Sequence, residues 1–187
     1  MKSLLITIGC ILLVVCFGIG DQIYGQTVET FPPEVRTNVQ KLIRIGLDED
    51  DIINLTHTML QHHFGTMQIL QSHEIITKSH QLGLPTQPVT NKAFEGMSKN
   101  IPASNIIAAM EQVHSRFAFA YSEVGKSTKQ ETETSPLGNL LAASLAAGSG
   151  RGDAKLIISS IHARSQSQST ARSIQLARES LSMARDI

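Results

Sequence analysis

GLDEDDII, Gly46 to Ile53, is the stretch from which the rest of the chain is read. A helix that stops wants a residue tolerant of positive φ just past its end, and Gly46 supplies one. The next helix wants an N-cap, and Asp48 offers its carboxylate to free backbone N–H groups. The acidic run from Asp48 to Asp51 also lies at the positive end of the new helix dipole. Leu47 and Ile52 have the spacing of a hydrophobic staple. Related stretches recur as NIPASNII (Asn100 to Ile107) and RGDAKLII (Arg151 to Ile158), starting 54 residues (100 − 46) and then 51 residues (151 − 100) further on. Each keeps an Ile-Ile pair at the same offset. GLPTQPVT, from Gly83, is a fourth corner, a stop followed by a proline start.

Working outward, each main corner separates a short helix from a longer one. Val35, Val39, Leu42 and Ile43 recur at helical spacing from Pro33 down to Gly46. The spacing then predicts a long helix from Asp48 towards His80, with Gly65 marking a bend or interruption. A second short helix runs from Pro85 to Asn100. The long helix after it carries Ile106, Ile107, Met110, Val113, Phe117 and Tyr121. Pro136 opens a third short helix, and a last helix runs from Ala154 to about Arg185. The expected fold is all-α, about six helices in short–long pairs. Units of this size stack on their neighbours, as a helical hairpin array or an irregular bundle.

The ends and the middle divide the chain. Lys2 followed by the apolar run from Leu4 to Phe17 reads as a signal segment over 1–25, with cleavage near 20 or 25. The run is short for a bilayer span, so a cut leader is favoured over an anchor. A helical repeat domain over 26–125, a polar linker over 126–135 (KSTKQETETS lies within it) and a C-terminal helical pair over 136–187 follow. Cys10 and Cys16 both lie in the leader, so an exported chain carries no disulfide, thiolate nucleophile or cysteine-held metal. A formal net charge of zero argues against nucleic acid. With aromatics at 4% and no Trp, base- or sugar-stacking platforms are not expected. No nucleophile elbow, phosphate loop or dinucleotide fingerprint occurs, and no cofactor is implied.

One segment carries a resemblance. GLPTQPVTNKAFEGMSKNIPASNIIAAMEQ, Gly83 to Gln112, resembles a stretch of small exported α-helical bacterial proteins with no assigned activity. In those a Gly-Leu-Pro corner, an Asn-Lys-x-x-Glu-Gly helix and an Ile/Val-Pro corner follow in this order. The resemblance spans 30 residues (112 − 83 + 1) in the middle of the 187-residue chain and departs at Asn100, where a Gly is usual. It implies a helical fold and a bacterial envelope setting, and it lends no catalytic residues.

Histidine is the side chain with most chemistry to offer. Five of seven fall between Asp48 and His80: His57, His62, His63, His73 and His80. At 100° per residue, His62, His73 and His80 share a face. Such a stripe, with His114 from another helix, is a candidate site for Zn²⁺, Ni²⁺ or Cu²⁺. Yet His62 and His73 stand about 16 Å apart along one helix, too far to share an ion. The plainer reading takes these rings as polar, partly exposed helix residues. From Arg151 onward six basic and three acidic residues leave a net +3, which suits an acidic partner or lipid headgroups. Membrane contact is expected only there or through an uncut leader. The expectation is therefore a non-catalytic, exported protein, periplasmic or extracellular, acting through its surface on an unknown protein or envelope partner. The alternative is a histidine-dependent periplasmic metal binder.

Overall fold

At Gly46 the backbone turns with φ 95°, and at Asn100 with φ 52°. Gly46 N–H donates to Ile43 O (2.9 Å) and Leu47 N–H to Leu42 O (3.3 Å), the Schellman pair that satisfies carbonyls left free by the ending helix. The same pair of bonds closes the corner at Asn100 and three more, at His63, Gly83 and Gly148, each also in the left-handed region. Leu47, Phe64 and Leu84, which follow three of these residues, are buried, so each stop also turns an apolar side chain inward. Asp48 then caps the next helix, accepting from Asp51 N–H at 2.9 Å, with the staple pair Leu47 and Ile52 both buried.

The computed structural model describes residues 28–127, 131–165 and 170–183. The leader expected over 1–25 lies outside them, as do positions 128–130 of the expected linker. The described residues form a short 3₁₀ turn (Val28–Thr30) and eight α-helices. These are α1 (Pro33–Arg44), α2 (Glu49–Gln61), α3 (Thr66–Gln81), α4 (Gln87–Ser98), α5 (Ala103–Ser127), α6 (Glu131–Ala146), α7 (Arg151–Ser165) and α8 (Thr170–Met183). No strand occurs among the described residues. No helix among them is long and apolar enough to cross a membrane.

The all-α class holds, with eight helices where about six are expected. Two long helices are in fact pairs. The one expected from Asp48 to His80 ends at Gln61, because His63 takes φ 59° and reverses the chain. Gly65 is not the stop. It stands at φ −71° as the N-cap of α3, its N–H donating to Gln68 Oε1 at 2.9 Å. The expected rod from Ala154 to Arg185 is α7 and α8, which pack on each other. α6 begins at Glu131, ahead of Pro136.

Helices one apart in the chain meet across the stack: α1 packs on α3, α3 on α5, and α2 on α4. Val35, Val39, Leu42, Leu55, Met59, Ile69, Ile76, Met97 and Met110 fill the core between them. Burying side chains of this size is the main favourable term, at about 1.5–3 kcal/mol each. Arg36 holds the 3₁₀ turn over one end, donating to Glu29 O (2.7 Å) and Phe31 O (3.2 Å). A second core joins the later part of α5 to α6, α7 and α8 through Ala120, Val124, Leu141, Ala154, Ile158 and Leu181. Phe117 packs against both cores, so α5 belongs to each.

Candidate functional site: a histidine seam and the groove beside it

α3 lies between α1 and α5, so its side chains meet both. His73 and His80 stand two turns apart on its α1 side, as helical spacing predicts. His73 is 0% exposed. Its Nδ1–H donates to Asn38 Oδ1 of α1 (2.9 Å), and its Nε2 stands 3.0 Å from Thr56 Oγ1 of α2. One ring therefore joins three helices. His80 Nε2–H donates to Ile45 O at 2.8 Å, meeting a carbonyl at the C-terminus of α1, where intrahelical partners run out. On the other side of α3, Ser79 Oγ stands 2.9 Å from His114 Nδ1 of α5.

These contacts share a number. Asn38 to His73, Ile45 to His80 and Ser79 to His114 are each separated by 35 residues. Matching corners lie 37 apart, Gly46 to Gly83 (83 − 46) and His63 to Asn100 (100 − 63). α1 and α3 are parallel, since the order of partners is the same along both.

Hydrogen-bond supply constrains His73. The Thr56 hydroxyl lies 2.7 Å from Ile52 O, its ordinary partner one helical turn back. A neutral imidazole has one N–H, already given to Asn38. The single Thr56 proton, donated to the Ile52 carbonyl, then has a competing acceptor in Nε2. An imidazolium would satisfy both neighbours, but burial with no counter-charge opposes it and lowers the pKa from 6.5 to about 4. The charge penalty decides, and the ring is neutral near pH 7.

His62 does not join this face. It is the exposed C-cap residue of α2, beyond the helix that would have aligned it with His73. Among the described residues, no three of His, Cys, Asp and Glu stand together as a metal-binding group. Asn38, Thr56 and Ser79 carry no signal of their own in the sequence. Their 35-residue offset to a histidine, at Asn38 and Ser79, is the trace they leave.

Beside the seam, α3 and α5 enclose an open groove of about 340 Å³. Ile75, Ile107 and Ala108 form its apolar part, with Gln71, Glu74, Lys78, Ser104 and Glu111 around them. Glu74 and Lys78 pair at 3.0 Å. That bond, with Glu111 adding a smaller attraction, raises the Lys78 pKa. Both side chains are well exposed, so the pair adds little to stability. A smaller cleft of about 190 Å³ between α6 and α8 is lined by Leu140, Ala143, Leu181 and Arg178, among others.

The Asn91–Gly96 stretch of α4 carries a surface ion-pair cluster and one close helix approach. Lys92 and Lys99 both bond to Glu95 and hold its carboxyl at about 2. Gly96 lets α5 approach: a Cβ there would lie 2.5 Å from Ile106 Cγ1. Compared with known proteins, the chain matches no family model, no curated protein and no solved structure.

Proposed function

We propose that this protein is a non-catalytic array of helical hairpins, exported to the bacterial envelope, that works by binding another protein through its surface. The units are α1–α2, α3–α4 and α5–α6, each leaning on the next. The observation that carries the reading is the division of labour on α3. Its His73 and His80 turn inward to bond α1 and α2, while Glu74 and Lys78, with Ile75 beneath, face the groove shared with α5. An apolar strip rimmed by a few charges is the usual make-up of a peptide- or helix-binding face. The 35-residue offsets and 37-residue corner spacing support the hairpin repeat, and the segment over 1–25 supports export.

A photo-crosslinking residue at Ala108, which is exposed in the groove, tests this in cells. The expected result is one envelope protein captured from Ala108 and not from the exposed position Asn54 of α2. Equal capture from both positions, or substrate turnover by the purified chain, contradicts the reading.

A further inference from the structure

We propose that His73 makes the α1–α2 hairpin an acid-released latch on the rest of the stack. The support is positional. Among the described residues, the side-chain hydrogen bonds that tie α1–α2 to α3 end on imidazoles: His73 to Asn38 and to Thr56, and His80 to the Ile45 carbonyl. The rest of that contact is apolar packing, which does not titrate. His80 donates from Nε2 to a backbone carbonyl and stands half-exposed at the edge of the seam. His73 is different, because it is enclosed where three helices meet and its hydrogen-bonded neighbours are neutral.

No charge on the surrounding elements compensates a proton there. Glu34, Lys41 and Arg44 of α1 and Glu49, Asp50 and Asp51 of α2 are exposed. Arg36 of α1 and His57 of α2 are half-exposed. On α3 itself Glu74 faces solvent, paired with Lys78, and burial is the only influence on the ring. Glu111 of α5 is exposed, and His114 bonds Ser79 instead.

The sign follows from proton counting. Above pH 6.5 the ring is neutral in both the closed and the open hairpin, and pH has no effect through this group. Between 6.5 and about 4 the open form takes a proton that the closed form refuses, so acid favours opening. Below about 4 both forms are charged and the effect levels off. A terminal unit of a stacked array opens without unfolding its neighbours. One proton taken up over this window raises the opening constant of α1–α2 about 20-fold between pH 7 and pH 5.

NMR of the imidazole side chains across pH 7 to 3.5, with amide hydrogen exchange corrected for intrinsic rate, tests the latch. The expected result is a His73 ring neutral down to pH 5 and exchange in α1–α2 quickened about 20-fold there, with α4 and α6 little changed. In His73→Gln, which keeps a donor and an acceptor but cannot titrate, that pH dependence should vanish. A His73 ring that titrates near 6.5, acceleration spread evenly over all helices, or an unchanged pH dependence in the Gln variant overturns the proposal. The wild-type ring titration decides it even if the variant fails to fold.

Discussion

His63 carries a local cost that most corner residues avoid. A left-handed backbone, φ 59°, crowds any side chain with a Cβ, by roughly 1–2 kcal/mol. Glycine would remove that strain while losing part of the gain to chain entropy in the unfolded state. His63→Gly should therefore stabilise the fold by about 0.5–1 kcal/mol and raise Tm by about 2–3 °C. A thermal melt at neutral pH checks this; a lower Tm would mean the ring makes a bond that outweighs its strain. The same residue makes the break that Gly65, two residues on, marks in the sequence. Gly46 announces a left-handed stop by its residue type; Asn100 and His63 do so less plainly, both being residue types enriched at positive φ but seldom found there. An interruption is therefore legible near Gly65, but the left-handed residue that makes it is His63. At His73 the helical wheel correctly pairs the ring with His80, but Asn38 and Thr56 are set by stacking, which local periodicity does not encode.

Between elements, close approach is governed by where a Cβ is missing. Gly96 on α4 faces Ile106, which is 1% exposed and has no room to retreat. Gly125, near the end of α5, is open: a Cβ added there would meet nothing within 4 Å. Ala gains about 1 kcal/mol of helix propensity at either site, while overpacking costs about 1–3 kcal/mol only at the first. Gly96→Ala should therefore lose up to about 2 kcal/mol and Gly125→Ala gain up to about 1 kcal/mol in chemical denaturation. Equal effects at the two sites would deny that α4 and α5 are packed to contact there. Corner chemistry is legible at this scale, since Asp48 caps and Leu47 staples as their spacing implies. The register between α4 and α5 is not, because Gly96 reads as a weak helix residue until its neighbour is known.

Across the whole molecule, two cores share one helix, and the first is crossed by polar bonds at a constant chain offset. The all-α class is readable from 3.6-residue periodicity, yet that α1 meets α3, α3 meets α5 and α2 meets α4 emerges only from the fold. Apolar packing could hold such a stack in several registers; the half-buried Asn38 amide bonded to one nitrogen of the buried His73 ring restricts the choice. If the stack is as described, Asn38 and His73 act on stability together although 35 residues separate them. The most direct measurement is a double-mutant cycle at neutral pH with Asn38→Ala, His73→Ala and the double variant, followed by urea denaturation. A coupling of about 1 kcal/mol, the usual net worth of a neutral hydrogen bond, is predicted. Strictly additive losses would contradict the joining of α1 to α3 through His73.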